Sequence, residues 1–463
     1  MSFKAKHAAT VCATAFILAS SPVFATNGTF MPGYGIQSES MGGVGISSGQ
    51  DAISAAANPA NLAYVGTRAD VDMTAFNPNV KAQVNCTPNA GFRFGCYNDN
   101  GSGYTPMGEV ASGSKASLYF IPNMAMSMQF NEKLNFGMGF VAQSGMGTAY
   151  NPNFFSFNSK GPLPANNSQL GIQLMQLVVP ISVAYKPVES QSFGFSLIPA
   201  AQRFSATGLD AFSSFGISSN PSQMTGQGYD YSYGLGARIG WIGKYLDNKL
   251  ALGATYASKI YMSKLNSYSG LFPNGGELDI PANYGIGITL IPTEKWTLAF
   301  DVDEILFKDV AAFGNAAPGL NGTQPDIIGL NGHCNGPTYA AACLGQPGGM
   351  GFGWNNQTVY KLGVAYKATE KLTLKAGYNY AHTPIPDTAL TFNLLAPATS
   401  ERHYSIGMTY SVSDQMDVSA MYMRSPPNSQ SEKNLQVIKS GSFAMNQNYL
   451  GVGVSWILDR PAH

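Results

Sequence analysis

From residue 68 onward the sequence repeats one pattern, in which stretches of about ten residues alternate between apolar and polar side chains. In 229–241, for example, Tyr229 and Tyr231 begin one series, and Asp230 and Ser232 begin the other. Successive side chains of an extended strand point to opposite faces, so one face meets an apolar medium and the other a polar, glycine-rich space. Turns that are alternately short and long separate the stretches, a pattern typical of a transmembrane β-barrel.

Counting these stretches predicts an all-β fold, a barrel of fourteen antiparallel transmembrane strands with both chain ends on one side. The predicted strands are 68–81, 114–130, 134–144, 172–186, 192–207, 227–242, 249–264, 277–291, 295–308, 354–367, 371–382, 400–412, 416–424 and 446–458. Short turns of such barrels lie in the periplasm, so the long connections fall outside the cell. We therefore assign 67–463 to a barrel in the bacterial outer membrane.

Composition narrows the classes of protein further. The chain carries 26 basic and 26 acidic residues, and this zero net charge argues against a nucleic-acid partner, which needs a basic surface. Charged residues make up only 11% of the chain, against about 25% in soluble domains. After residue 25, no apolar run is long enough for a spanning helix, which excludes a helical membrane protein.

Residues 1–25 are predicted to be an export signal. Lys4 and Lys6 supply its positive region, and residues 8–19 supply a short apolar core. Cleavage after Ala25 would start the mature chain at Thr26. The alternative is an uncleaved membrane anchor, which the short apolar core disfavours.

Four cysteines follow the signal, and all of them lie in predicted outer loops. Three connectivities are open, and local pairing of Cys86 with Cys96 and of Cys334 with Cys343 closes the shortest loops. An oxidising periplasm permits such disulfides. A metal site is the alternative, but the spacings are too wide for a Cys-x-x-Cys motif and His333 is the only histidine nearby. We expect no metal and no cofactor.

Segment 26–66 precedes the barrel and is rich in glycine, alanine and serine. Asp51 is expected to cap a short helix that runs through Ala57 and ends before Pro59. The segment lacks the apolar mass for a core of its own, so we predict that it lodges in the barrel lumen as a plug. The alternative, on composition alone, is a disordered leader.

Two motifs in this segment resemble those of a known family. Residues 40–45 read Ser-Met-Gly-Gly-Val-Gly and are followed by Asp51-Ala52, and the tripeptide Asn58-Pro59-Ala60 comes next, followed by Asn61-Leu62. At these residues the chain resembles the FadL/TodX family of outer-membrane transporters for long-chain fatty acids and hydrophobic compounds. The motifs cover roughly residues 26–80, and the rest of the chain agrees with the family in architecture.

The resemblance implies passive uptake of a hydrophobic small molecule, either a fatty acid or an aromatic hydrocarbon. Outer loops would capture the ligand in an apolar groove and pass it to a tighter pocket inside the barrel. The tip of the plug (hatch) would shift on binding, and the ligand would leave sideways where the third strand kinks. The implied surroundings are outer-membrane lipid and lipopolysaccharide, and we expect a monomer.

Candidates for the moving parts follow from this scheme. Gln143, Gly145 and Gly147 on the third strand are predicted to form the kink, since glycine permits bulges and close backbone approach. The alternative is that these glycines only leave space for other groups in a crowded lumen. Phe30 is the apolar candidate for the plug tip, and a frayed terminus is the alternative there.

Ligand contacts are expected in the outer loops, where Phe154, Phe155 and Phe212 are the candidates for the capture groove. Exposed apolar loops are a liability unless they bind something, although packing of loop on loop is the alternative. Three further candidates for ligand contact lie at the outer ends of strands. The pair Arg203-Phe204 resembles the family's carboxylate anchor, and Lys308 is a second candidate. Strict alternation would turn Arg203 toward lipid unless Pro199 breaks the register.

Charged and polar residues of the wall bear on the other possible functions. Seven charged residues are predicted to face the lumen, where they would pair with each other and with the plug: Asp70, Asp72, Asp230, Arg238, Lys259, Lys361 and Lys375. A general diffusion porin has a strongly charged lumen and no N-terminal plug, and an adhesive or structural barrel is a further alternative. An enzyme is not expected, because Glu401, His403 and Ser405 share one strand with no evident oxyanion donor.

Overall fold

The computed structural model describes residues 27–85, 97–99, 104–106, 109–151, 153, 169–214, 216–317, 334, 341–433 and 440–459. The predicted signal segment 1–25, Thr26, Cys86, Cys96, Phe154, Phe155 and His333 therefore lie outside the described residues. Among the described residues, no helix is long and apolar enough to cross a membrane.

Fourteen antiparallel strands form the closed barrel, three of them in two segments. They are β1 (Thr67–Asn85), β2 (Glu109–Gly113 and Tyr119–Gln129), β3 (Leu134–Tyr150), β4 (Leu170–Val178 and Ile181–Val188), β5 (Gln191–Thr207), β6 (Asp230–Tyr245), β7 (Leu250–Ala257 and Tyr261–Met262), β8 (Asn283–Thr293), β9 (Trp296–Ile305), β10 (Gln357–Lys367), β11 (Leu372–Ala381), β12 (Arg402–Ser413), β13 (Met416–Lys433) and β14 (Ser440–Asp459). β1 closes the ring, because it pairs with β14 along its length and with β2 on its other edge. Segments Tyr97–Asp99 and Tyr104–Pro106 form a separate small sheet.

Alternation sorts the wall into two faces, as the sequence predicts. Phe120 on β2 and Ile286 on β8 are 53% and 65% exposed, on the face that meets lipid. Their neighbours on the opposite face are buried in the lumen. The alternation in β5 continues through Pro199, so this proline does not break the register.

Some strands run beyond the predicted ends. β13 was expected to end at residue 424 but continues to Lys433, paired with β14. Above the membrane both faces of a strand are polar, so the alternating signal disappears while the backbone ladder continues. The two prolines at 426–427 fit because the register shifts between Ser425 and Asn428, which forms a bulge that needs no proline N–H.

The helical segments among the described residues are short and lie in the plug and the outer loops. The α-helices are α1 (Gly35–Glu39), α2 (Asp210–Ser214), α3 (Pro273–Gly276), α4 (Ala311–Gly314) and α5 (Leu390–Asn393). The 3-10 helices span Ala52–Ala56, Pro59–Tyr64, Pro221–Gln223, Asn266–Tyr268 and Phe307–Asp309. Asp51 caps the first of these by accepting a hydrogen bond from Ser54 N at 2.8 Å, and Pro59 opens the second.

The plug fills the lumen in two parts, which we call the hatch body (32–65) and the arm (27–31). The hatch body lies against wall glycines from most strands. A Cβ added at any of them would come within 3 Å of a hatch-body atom, so a larger residue there would displace part of the plug or the wall. We call this set the glycine belt: Gly137, Gly194, Gly240, Gly253, Gly285, Gly287, Gly363, Gly377, Gly407 and Gly451.

The tripeptide Asn58-Pro59-Ala60 is the point where the hatch body meets β5 and β6. The Asn58 side-chain amide donates to Ile46 O at 2.7 Å and to Trp241 O at 3.2 Å, and its Oδ1 accepts from Ala60 N at 3.0 Å. One side chain thus closes a turn of the plug and fastens it to the wall. Gly194 and Gly240 of the belt provide the space for this contact.

Candidate functional site

An apolar pocket lies under the outer loops at the top of the barrel. Its empty volume is about 530 Å³. Fifteen described residues line it, and none of their side chains carries a charge or a hydrogen-bonding group other than a thioether. We call it the outer pocket: Ile172, Phe204, Leu209, Phe212, Met224, Leu271, Phe272, Pro273, Ala312, Leu344, Met350, Gly351, Phe352, Phe392 and Leu395.

Rings from different loops meet edge to face in this pocket, an arrangement that aromatic side chains prefer. Phe204, at the top of β5, lies 4.8 Å from the ring centroids of both Tyr268 and Phe272. Phe212 of α2 lies 5.6 Å from Phe392 of α5. The walls are therefore assembled from separate loops, which hold each other through their aromatic side chains.

One disulfide fixes part of the outer-pocket wall. Cys334 and Cys343 are bonded, with their Cα atoms 6.0 Å apart, as local pairing predicted. The next residue, Leu344, lines the pocket and exchanges backbone hydrogen bonds with the loop after α2, from Leu344 N to Ile217 O and from Ser219 N to Leu344 O, both at 2.9 Å. The disulfide therefore constrains the loop after β9 at the point where it pairs with the loop after α2.

Below the pocket, Phe30 of the arm is 4% exposed and packs into an aromatic chain. Its ring lies 5.9 Å from Phe307, and Phe307 lies 5.0 Å from Trp354. Trp354 in turn lies 6.0 Å from Phe352, which lines the outer pocket. The aromatic chain Phe352–Trp354–Phe307–Phe30 therefore runs from the pocket to the tip of the plug.

The wall is incompletely paired next to the arm. β2 and β3 are in register only from Met124 opposite Phe140 down to Gln129 opposite Asn135. Above that point, the described residues 116–123 and 141–148 have no registered backbone ladder between them. A side-chain bond from Ala142 N to Asn123 Oδ1 at 3.0 Å spans the gap lower down, and Lys115 N to Ala149 O at 2.9 Å closes its top.

β3 bulges beside this gap, and the arm occupies the edge that β2 leaves. The register with β4 shifts between Ala142 and Ser144, so Gln143 is the bulged residue. Met31 N donates to Gln143 O at 3.3 Å, and Gly145 N donates to Thr29 O at 3.0 Å. The predicted kink residues and the predicted plug tip are thus in direct contact.

A second, smaller cavity lies inside the bulge. Its empty volume is about 370 Å³, and Gln143, Val178, Ile198, Arg238 and Asn283 are among its lining residues. We call it the inner cavity. Unlike the outer pocket, it presents amide and guanidinium groups beside its apolar walls.

The structure does not bring the two predicted anchor cations into the outer pocket. Arg203 lies on the outward face of β5, with its guanidinium 4.3 Å from the Tyr229 ring centroid, while Phe204 points inward. Unbroken alternation through Pro199 is the physical reason. Lys308 lies in the 3-10 helix Phe307–Asp309 with an exposed side chain, and its backbone N–H donates to Asn356 Oδ1.

The charged residues that were predicted to face the lumen form ion pairs or hydrogen bonds with the wall and the plug. Asp70 pairs with Arg68, Lys259 with Asp279 and Lys361 with Asp303, at 2.8, 3.2 and 2.9 Å respectively. The hatch body takes most of the others. Asp72 accepts from Ile36 N at 2.7 Å, and Lys375 donates to the side chains of Gln37 and Gln50. Arg238 donates to Ala57 O at 2.7 Å.

The three residues considered for an enzyme are also engaged separately. Glu401 contacts His382 at 2.6 Å, His403 contacts Gln447 at 3.3 Å, and Ser405 Oγ accepts from Gly42 N of the hatch body at 3.0 Å. Ser405 and His403 are therefore committed to different partners.

Sequence reasoning missed most of the outer pocket. Phe272, Phe352 and Phe392 lie in the loops after β7, β9 and β11, whereas the predicted groove used only the two loops after β3 and β5. A signal was present, because residues 350–354 read Met-Gly-Phe-Gly-Trp in a connection expected to be outside the cell. Exposed apolar runs of that kind mark binding or packing surfaces.

Comparisons with known proteins agree with this architecture. The family model described as outer membrane protein transport protein (OMPP1/FadL/TodX) matches residues 23–454. No curated protein sequence matches the chain. Among solved structures, the P. putida toluene transporter TodX shares 19% identity with a TM-score of 0.61, covering 93% of this chain and 100% of its own.

Two further structures show the same fold. A Pseudomonas aeruginosa FadL homologue shares 16% identity with a TM-score of 0.66, covering 93% of this chain and 100% of its own. The Ralstonia pickettii toluene transporter TbuX shares 17% identity with a TM-score of 0.59, covering 92% of this chain and 99% of its own. The family model spans most of the chain, and the chain therefore belongs to the OMPP1/FadL/TodX family of bacterial outer-membrane transporters of hydrophobic compounds.

Proposed function

We propose that this protein takes up small, largely apolar molecules from outside the cell by passive capture in the outer pocket. The observation that carries the proposal is the lining of that pocket, which is apolar throughout its described residues. An apolar ligand gains about 0.8 kcal/mol for each methylene it removes from water. A polar solute would lose its hydration there without finding hydrogen-bond partners.

The second step of the proposal is movement of the arm. A ligand in the outer pocket contacts Phe352, and the aromatic chain connects that ring to Phe30. Interior side chains are closely packed, so a shift at one end of the chain is felt at the other. Two backbone hydrogen bonds to β3 are the arm's attachment beside the gap, and their release would uncover the gap between β2 and β3.

The third step is lateral exit through that gap. Gln143, Gly145 and Gly147 border it, and the backbone there is paired with the arm rather than with β2. A ligand leaving sideways would enter the hydrocarbon layer directly and would avoid the aqueous periplasm. In this scheme the hatch body stays in place and closes the straight route through the barrel.

Neutral or broadly varied ligands fit the outer pocket better than ligands bound by a charged head group. Neither Arg203 nor Lys308 lines it. A carboxylate would have to remain at the mouth or reach the inner cavity. A general diffusion porin fits less well, because the hatch body lies against the glycine belt around the lumen. We expect a monomer surrounded by outer-membrane lipid and lipopolysaccharide.

Native mass spectrometry of the purified barrel, together with uptake of labelled toluene by cells, tests this function. Phe212→Asp places a charge in the apolar wall and should lower uptake at least tenfold, because nothing in the described lining pairs with it. Phe212→Leu keeps the wall apolar and should retain most of the uptake. A co-purified sugar or peptide, or equal uptake by both variants, would contradict the proposal.

A further inference from the structure

Four buried side chains form a hydrogen-bonded row across the lumenal face of β3, β4, β5 and β6. Ser144 donates to Gln176, Gln176 Nε2 donates to Gln202 Oε1 at 2.7 Å, and Gln202 Nε2 donates to Ser232 Oγ at 3.2 Å. All four are at most 2% exposed. They are also directly opposite one another in the strand register, so the row lies at one level of the barrel. We call it the amide row.

The amide row lies between the outer pocket and the inner cavity. On β4, Ile172 lines the outer pocket and Val178 lines the inner cavity, with Gln176 between them on the same face. On β5, Phe204 lines the pocket and Ile198 lines the cavity, with Gln202 between them. A ligand that moves along this wall toward the bulge must therefore pass the two glutamines.

One end of the amide row contacts the arm beside the gap between β2 and β3, and the other end contacts an outer loop. Ser144 follows the bulged Gln143 and forms a backbone bridge with Phe30 of the arm. At the far end, Ser232 donates to Ser263 O, and its neighbour Gln202 donates to Leu278 O at 2.9 Å, both in the loop after β7. A buried amide that loses its hydrogen-bond partner costs free energy. The passage of a ligand that only separates these side chains is therefore disfavoured.

The outer pocket and the inner cavity together determine which ligand crosses the amide row most easily. The outer pocket accepts only an apolar surface, whereas the amide row and the inner cavity offer amide groups and the Arg238 guanidinium. A hydrocarbon that parts the row leaves donors and acceptors unpaired. A molecule with one hydroxyl or carbonyl group replaces a lost partner at the row and still buries its apolar body in the pocket.

We propose that the amide row makes this transporter selective for apolar molecules that carry one neutral hydrogen-bonding group, over hydrocarbons of the same size. This inference rests on the proposed function, since it concerns the path between its two compartments. Gln202 is the central residue, because it forms hydrogen bonds with Gln176, Ser232 and Leu278 O. The ligand's hydroxyl donates to a glutamine Oε1 or accepts from a glutamine Nε2 as it passes.

The test compares uptake of p-cresol and toluene, which differ by one hydroxyl, in cells expressing the full chain. The wild type should take up p-cresol faster than toluene above the vector background. Gln202→Leu should reduce the ratio of the two rates about tenfold, which corresponds to about 1.4 kcal/mol. Gln176→Leu should act in the same direction, and folding of each variant is checked by heat-modifiable electrophoretic mobility.

Ser196→Ala is the matched control. Ser182 of β4 and Ser196 of β5 share a buried hydrogen bond of 2.7 Å. This pair lies further toward the periplasm than the amide row and is not part of it. This variant should leave the uptake ratio unchanged. An unchanged ratio in both folded glutamine variants would overturn the selectivity inference alone. Absence of uptake of both compounds by the wild type would overturn the proposed function and the inference with it.

Discussion

The hatch body and the arm belong to one plug, but they are attached to the barrel in different ways. The hatch body is held by the glycine belt and by side-chain bonds from several strands, such as Asp301 accepting from Gly45 N and Ile46 N at 2.7 and 3.0 Å. The arm contacts the wall through two backbone hydrogen bonds to β3, and its Phe30 and Met31 side chains are buried. The hatch body is therefore attached to many strands, whereas both backbone hydrogen bonds of the arm to the wall are to β3, a difference that the proposed movement of the arm requires.

The strongest test of this comparison disturbs the hatch body. Gly240→Val would place a side chain against Asn58, where the glycine belt leaves no space. Overpacking of this kind costs typically about 1–3 kcal/mol, and here it also displaces the Asn58 hydrogen bonds. We expect the hatch body to undock and the pore to conduct ions in planar bilayers.

Gly113→Ala is the control for that experiment, because its added Cβ would lie 4.0 Å from the nearest atom, Val80 O. This variant should remain closed. If the Gly240→Val barrel folds and is as closed as the wild type, the hatch body is not held by the belt.

An effect confined to the arm, with no opening of the lumen, is expected from Phe30→Ala. The ring is buried against Phe307, and removing a buried phenylalanine costs about 3–5 kcal/mol when the site cannot collapse. Hydrogen exchange should speed up at residues 29–31 and 143–145 and stay unchanged in the hatch body, with no ion conductance. Faster exchange throughout 32–65 would show that arm and body form one cooperative unit.

The smallest expected effect is a pH dependence of hatch-body docking. Burial and the nearby Asp72 carboxylate raise the pKa of Glu39 to about 8, while Thr74 donates to the carboxylate at 3.4 Å. Because the docked state favours the protonated acid, docking is most stable below the usual pKa of 4.5. It weakens as the pH rises from there to about 8 and changes little above.

Glu39→Gln carries no titrating proton at this position and should remove that decline. The measurement is hydrogen exchange of the hatch body in both proteins between pH 5 and pH 9, after correction for the intrinsic pH dependence of exchange. An identical decline in the two proteins would assign the effect to another group.

The sequence was most informative where the signal is local. Fourteen strands and the side of the cysteine loops followed from alternation and turn length, because a strand has a fixed two-residue period whatever it packs against. The same rule placed Arg203 outside, and the suggested exception at Pro199 was wrong. Asp51 marked the start of the first plug helix, since capping involves only neighbouring residues.

The tertiary structure decided what lies far apart in the chain. Phe204, Phe272 and Phe392 come together in the outer pocket only because the loops after β7 and β11 fold over the top of β5. Likewise, Thr29 meets Gly145 only because the plug folds back into the lumen of the barrel. Periodicity therefore determined the wall and its two faces, whereas the pocket, the gap and the amide row depend on strand register and loop packing, which no local pattern encodes.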